Sequence, residues 1–231
     1  MKGSPMGTSS TQHGLDGQIL VVDDFYSDPD LVRRLALRAE YRPVDGRANF
    51  PGRESVKSFW TGEHVTRFSD IVGAPIEFDP RRWIFGRFRS ATAHQTGRTR
   101  VHIDRVDWTA VVHLSDRRRD DGNLGIYRHL PLALDRVPDD EGLRGLGYAD
   151  VGALDAEQVF PISHDDASWE LIHTVETRYN RCVVFRGSKL FHGIMSTFGE
   201  DLGSSRLTQN FFFNQAAPTP PEDHTDDTGA G

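Results

Sequence analysis

Between residues 83 and 213 the chain is written in short apolar and aromatic runs, most of them too brief for a helix and separated by turn residues. Residues 83–89, 124–127, 181–185 and 205–213 each read as a strand, and residues 101–114 hold one or two more. Residues 169–179 fit either a helix or a strand, because Trp169, Ile172, Val175 and Tyr179 share one period and Leu171, His173 and Val175 the other. Strands this short must pair with one another to bury anything. The part before them is different. Residues 18–25 read as a strand, Asp28 caps a helix that opens on Pro29 and ends near Glu40, and a second helix is expected over residues 63–72. Helices first and many short strands afterwards point to a mainly β, α+β chain. The expected form is a β-sandwich or jelly roll with N-terminal helices packed on one sheet.

The remaining stretches bound the domain. Residues 1–17 are rich in Gly, Ser and Thr and read as a flexible leader; residues 18–214 read as one domain. Residues 41–58 are loop-like, residues 116–123 a charged turn, and residues 130–168 an irregular insertion with one helical turn. Residues 215–231 read as a disordered acidic tail. That tail holds Glu222, Asp223, Asp226 and Asp227 and no Lys or Arg, so much of the net charge of −7 sits there. The body is then only mildly acidic, which argues against a nucleic-acid partner held by bulk electrostatics. A single cysteine, Cys182, rules out an internal disulfide. No apolar run is long enough to span a membrane, and the N-terminus lacks the apolar core of a secretory signal. A cytoplasmic location is the default expectation.

Chemistry enters at Val101-His102-Ile103-Asp104. On an extended backbone His102 and Asp104 point one way, and Val101 and Ile103 point the other, into a core. The chain has three His-x-Asp pairs, so the pair alone means little. One of the others, His224-x-Asp226, lies in the tail; the second, His164-x-Asp166, lies in the insertion without flanking apolar alternation. Only His102 and Asp104 have neighbours able to hold a site. A third ligand follows the apolar strand at residues 181–185, where a Gly turn leads to Phe191-His192-Gly193. Two histidines and one carboxylate form the facial set typical of non-haem Fe(II) oxygenases. Arg206 and Thr208 then share a face of the last strand. A buried arginine in an aromatic-rich strand is costly unless an anion meets it, and a guanidinium forks onto a carboxylate.

The ordered set His102-x-Asp104, His192 and Arg206-x-Thr208 resembles the Fe(II)/2-oxoglutarate-dependent oxygenases. Val21-Val22-Asp23-Asp24-Phe25, Gly125-Ile126-Tyr127-Arg128-His129, Tyr179-Asn180-Arg181 and Arg206-Leu207-Thr208-Gln209 resemble a small bacterial branch of that superfamily, catalogued as a domain of unknown function. The resemblance covers residues 18–214. It implies a distorted double-stranded β-helix, a cupin-like jelly roll, with the metal at one end. It further implies that His102, Asp104 and His192 bind Fe(II), that Arg206 and Thr208 hold the distal carboxylate of 2-oxoglutarate, and that Tyr127 is a further candidate for that carboxylate. O2 would be the co-reactant, with succinate and CO2 released as a C–H bond is hydroxylated. Halogenating relatives lack the carboxylate that Asp104 supplies, so its presence argues against halogenation; desaturation, ring closure and demethylation use the same site and stay open beside hydroxylation.

Arg87, Arg89, Arg128 and Arg53 are candidates for substrate contact. Such a surplus of arginines favours an anionic or zwitterionic small molecule, such as an amino acid or a natural-product intermediate. The insertion at 130–168 and the loop at 43–58 are the expected lid and substrate walls. Two other classes stay open: a metal-dependent jelly-roll enzyme that does not use 2-oxoglutarate, which would need the triad but not Arg206, and a non-catalytic jelly-roll binding module, which would need neither.

Overall fold

A computed structural model describes residues 11–44, 49–93, 95–115 and 122–217. Among the described residues, twelve strands and four short α-helices follow one another. The first part holds β1 (Thr11–Gly14), β2 (Ile19–Val22), α1 (Pro29–Arg38), β3 (Tyr41–Pro43), β4 (Arg53–Ser55), α2 (Gly62–Val72) and β5 (Ile76–Glu77). Then come β6 (Phe85–Ala91), β7 (Trp108–His113), β8 (Leu124–His129), α3 (Asp140–Gly145), α4 (Val151–Leu154), β9 (Trp169–Val175), β10 (Cys182–Phe185), β11 (Phe191–Ile194) and β12 (Arg206–Gln215). They form two antiparallel sheets. The larger runs β1-β2-β10-β7-β12-β6-β4-β3, with β5 added to β12; the smaller runs β11-β8-β9. The molecule is mainly β, as the strand pattern predicts.

Strand alternation divides the large sheet into two unlike faces. Leu207, Phe211 and Phe213 of β12, with Trp108, Ala110 and Val112 of β7, pack against Val32 and Ala36 of α1 and Phe68 and Ile71 of α2. The N-terminal helices therefore cover one face of this sheet, as their apolar stripes require. The other face is apolar only at one end, where Ile19, Val183 and Phe185 meet Leu124, Ile126 and Val175 of the small sheet. Towards β12 and β6 the same face carries Arg206, Thr208, Asn210, Arg87 and Arg89, paired across the strands as Thr208 with Arg89 and Asn210 with Arg87. Two sheets facing each other over polar side chains cannot close into a dry core there, and a cavity results.

Several sequence expectations change in three dimensions. Residues 11–14, assigned to a flexible leader, pair with β2 as an edge strand. Residues 41–58 supply β3 and β4, which pair with each other, and β4 joins the sheet through β6, a distant partner that leaves no local signal. The insertion at 130–168 is helical rather than irregular: α3 and α4 are followed by a π-helical turn at Asp155–Val159 and 3-10 turns at Phe160–Ile162 and Asp166–Ser168. Its Leu143, Leu154 and Val159 pack on Tyr127, Trp169 and Phe191, the far side of the small sheet. Most of it is therefore a buttress and not a lid. Residues 169–175 resolve as a strand because β8 offers them a partner. The acidic tail from residue 218 and most of the turn at 116–123 lie outside the described residues; β12 itself extends to Gln215.

A polar relay crosses the helix-side core. The Thr61 N–H donates to His64 Nδ1 at 3.1 Å, so His64 Nε2 carries the proton and faces the Tyr26 hydroxyl at 2.9 Å. Tyr26 donates to Gln209 Oε1 at 2.7 Å. Burial lowers the His64 pKa from 6.5 to about 4. Between those values the unfolded chain takes up a proton that the folded one does not. Stability therefore falls as pH drops from about 6.5 to 4, by up to about 3 kcal/mol for this group. Urea midpoints at pH 7 and pH 4.5 should differ less in His64→Gln than in the parent; an unchanged difference would show that His64 is already charged in the folded state.

Candidate metal centre

His102 and Asp104 lie on an extended segment before β7, not on a regular strand as the alternation suggested. The segment is held by exchanged backbone bonds with β11, His102 N–H to His192 O and His192 N–H to His102 O, both 2.9 Å. Asp104 N–H donates to Gly187 O at 2.9 Å. The two ligand-bearing stretches are thus bonded to each other. Alternation still holds, since Val101 and Ile103 enter the core beneath the insertion. Two glycines make the approach possible. A Cβ at Gly193 would lie 2.1 Å from Arg100 O, and one at Gly187 would lie 2.8 Å from Asp104 Oδ2.

The side chains converge. One donor atom from each of His102, Asp104 and His192 lies within 4.8 Å of the others. His192 Nε2 is 3.3 Å from Asp104 Oδ2, and His102 Nε2 is 3.8 Å from Asp104 Oδ1. His192 Nδ1 donates to Leu190 O at 2.8 Å, which fixes the ring with Nε2 facing the carboxylate. Burial and the neighbouring His192 push the His102 pKa down to about 3, so His102 is a neutral imidazole at pH 7. Burial alone would raise the Asp104 carboxyl, but His192, His102 and Thr109 hold it well below the ordinary carboxylate range. Two imidazoles and a carboxylate are the donor set of a divalent transition metal.

Thr109 of β7 donates its hydroxyl to Asp104 Oδ2 at 2.5 Å, fixing the carboxylate's rotation. If the triad holds a divalent metal, losing that bond in Thr109→Val should weaken its binding about 10- to 100-fold with the fold intact, read by anaerobic calorimetry with Fe(II) as the probe. Unchanged affinity would show that Asp104 needs no such support.

The triad lines a cavity of about 430 Å³ whose wall also includes Arg89, Arg100, Arg206, Asn210, Phe185 and Phe212. Arg206 is 3% exposed, and its Nε donates to Gly122 O at 3.0 Å. Among the described residues no carboxylate lies within ion-pairing distance of it. Burial and the charge on Arg89 lower its pKa to about 10, so it remains a cation at neutral pH. His113, on the neighbouring strand, is held far below its ordinary pKa by burial and by Arg206, and offers no counter-charge.

The other sequence candidates separate. Thr208 is fully buried between Arg206 and Asn210 on the same face; its hydroxyl accepts from Asn210 Nδ2 at 2.9 Å, and it does not line the cavity. Tyr127 is out of phase. It pairs with Phe191, one residue from His192, and turns into the core under the insertion, so it cannot reach a cosubstrate. Arg89 does face the cavity, bound to Glu54 at 3.2 Å and seated between the rings of Phe50 and Phe212. Arg87 is bound to Glu54 at 2.6 Å and is not on the cavity wall. Phe85 does not share their face: Gly86, at φ +84°, forms a bulge that turns Phe85 to the helix side. Arg128 is tied to Asp135 and Glu170 away from the cavity, and Arg53 is exposed. Of the expected walls, Asn49, Phe50 and Pro51 of the 43–58 loop line the cavity, whereas His164 alone represents the insertion.

Sequence reading missed Thr109, Arg100 and Asn210. Asn210 had a signal, being on the face of the last strand that carries Arg206 and Thr208, whereas Thr109 had none, since simple alternation puts it out of phase with His102 and Asp104. Arg100 had none, since the loop before His102 carries no period.

The fold and site define a mainly β protein with a His-Asp-His candidate metal centre in an arginine-lined cavity. Residues 7–213 match the model of a family described as "Family of unknown function (DUF6445)", and the chain belongs to that family. A comparison with curated proteins finds no match. No helix among the described residues is long and apolar enough to cross a membrane.

Proposed function

We propose that the protein is a non-haem Fe(II)/2-oxoglutarate-dependent dioxygenase on a distorted double-stranded β-helix, hydroxylating an unactivated C–H bond of a small molecule. The observation that carries this reading is the pairing of two features in one cavity: a convergent His102-Asp104-His192 set, and the buried Arg206 without an acid among the described residues. A buried cation without a counter-ion is costly, and a dicarboxylate that also chelates the metal would remove that cost. Two facing antiparallel sheets, with the ligands between them, are compatible with the β-helix form.

In this reading His102, Asp104 and His192 would hold Fe(II), and Arg206 would fork onto the distal carboxylate of 2-oxoglutarate. When bound, the metal and cosubstrate supply the oxidising power: O2 gives one oxygen atom to succinate, CO2 leaves, and the other oxygen atom enters the substrate C–H bond. The protein's part is placement. Thr109 keeps Asp104 rotated towards the imidazoles. Asn210, braced by Thr208, supplies a polar edge beside Arg206. Val111, Leu124, Phe185 and Phe212 line the same cavity and reduce the water near the reacting bond.

Anaerobic addition of Fe(II) and 2-oxoglutarate should produce a weak visible charge-transfer band that is lost in His102→Ala. Metal binding without that band would favour a jelly-roll metal enzyme that uses no 2-oxoglutarate. Binding of neither metal nor 2-oxoglutarate would favour a non-catalytic binding module.

A further inference from the structure

Among the described residues three arginines reach the cavity wall, and they are not equivalent. Arg89 is tied to Glu54, a carboxylate it shares with Arg87, and is clamped between Phe50 and Phe212. Arg206 is the one assigned above to the cosubstrate. Arg100 is left. Its Nη2 pairs with Asp166 at 2.7 Å, but the Asp166 side chain is 86% exposed, and a pair with so exposed a carboxylate is weak and easily exchanged. Its Nε is buried and has no hydrogen-bond partner among the described residues. The residue before it repeats the pattern: Thr99 is 6% exposed, lines the cavity, and its buried hydroxyl also lacks a partner.

Consecutive buried donors left unpaired beside a cavity are unusual in a native structure, since each costs desolvation that nothing returns. The segment is not loosely held. Val101 N–H donates to Ser163 O at 3.2 Å, and the His164 ring nitrogen Nε2 bonds Arg98 O at 2.9 Å. Both donors are therefore kept in place by the end of the insertion, and the Arg100 guanidinium lies over the Tyr127 ring at 5.3 Å. Among the described residues of the cavity wall the one acid is Asp104, which belongs to the triad.

We propose that Arg100 and Thr99 form the specificity site for the primary substrate, and that this substrate is a small anion bearing a carboxylate or phosphate group. The anion takes Arg100 from Asp166, accepts the Arg100 Nε–H and the Thr99 hydroxyl, and leaves the rest of the molecule in the cavity beside the triad. The assignment of this anion as the oxidised substrate rests on the oxygenase reading; the anion site itself does not.

Inorganic phosphate is the first probe, titrated into the metal-free protein labelled with 15N and followed at the arginine Nε–H signals. The Arg100 signal should shift saturably. The shift should persist in Arg206→Gln and vanish in Arg100→Gln. Asp166→Asn removes the competing carboxylate, so phosphate should bind a few-fold more tightly, a gain that a purely structural role for Arg100 does not predict. No saturable shift at Arg100, or no tightening in Asp166→Asn, overturns the proposal. The second measurement is succinate release over pairs of candidate substrates that differ only as carboxylate and amide. The carboxylate members should be preferred, and Arg100→Gln should raise their KM at least about tenfold while leaving 2-oxoglutarate affinity unchanged. Preference for the amides refutes it. A charge-transfer band without phosphate binding at Arg100 sinks this inference alone; phosphate binding without the band sinks the oxygenase reading alone.

Discussion

In the His192→Ala protein, Fe(II) affinity should fall by more than about a hundredfold, and 2-oxoglutarate-dependent succinate formation should drop to background. The magnitude follows from what His192 does. In the proposed reading it is a ligand whose ring Leu190 O already orients, so little entropy would be spent turning it on metal binding. Weakening only an outer partner of a ligand costs about 10- to 100-fold, and deleting the ligand costs more. His192 is buried and its backbone makes the bridge to His102, so a side-chain loss keeps those two hydrogen bonds. Asp104→Ala gives a second, independent reading from the other ligand-bearing segment. Anaerobic calorimetry with Fe(II) measures both, with circular dichroism to confirm the fold. If either variant binds Fe(II) as tightly as the parent, the triad is not the metal centre.

Arg206→Gln should raise the dissociation constant for 2-oxoglutarate by about 10- to 100-fold while Fe(II) affinity stays within a few-fold. A charge-assisted fork to a carboxylate is among the stronger hydrogen-bonded contacts, and glutamine retains neither the charge nor the fork. Lysine should not restore it, because a point charge does not reproduce the bidentate geometry. A second readout separates binding from structure. In the absence of ligand, Arg206 has no acid partner among the described residues, so its loss removes a buried charge as well as one bond to Gly122 O. The thermal midpoint of the ligand-free variant should therefore be unchanged or higher. A midpoint lowered by many degrees, or an unaltered 2-oxoglutarate affinity, would end the cosubstrate assignment.

How far the sequence could be read depended on whether the signal was local. Helix α1 was legible because a cap, an N-terminal proline and an apolar stripe all lie within a few residues of one another, and α2 from its apolar stripe. The split of β12 was legible too: Leu207, Phe211 and Phe213 go to the helices and Arg206 to the cavity, as strict alternation demands. What failed was phase and partnership. Tyr127 is followed one residue later by an arginine and looked like a second anion contact, yet its phase on β8 is opposite to that of Ile126, which pairs with His192. The Gly86 bulge breaks simple alternation along β6, sending Phe85 to the helix side while Arg87 and Arg89 take the other face. Arg87 and Arg89 looked free because their acid, Glu54, comes from β4, more than thirty residues earlier.

By itself, then, the sequence determined which residues can be ligands and which backbone states they occupy. His102 and Asp104 share a side because an extended chain puts alternate side chains on opposite faces, and His192 is preceded and followed by the residues a close approach needs. The tertiary structure decided which of these groups meet. His102 and His192 are brought together by two backbone hydrogen bonds between segments ninety residues apart, through an opening that only glycine at 193 allows. Long-range pairing of this kind leaves no period in the chain. The same holds for charge: whether an arginine is spent on a neighbouring acid, as Arg89 is, or held for a ligand, as Arg206 and Arg100 are in the reading given above, depends on which acids the fold brings within a few ångströms. Coulomb energy and desolvation are set by that distance and by burial, and the order of residues specifies neither.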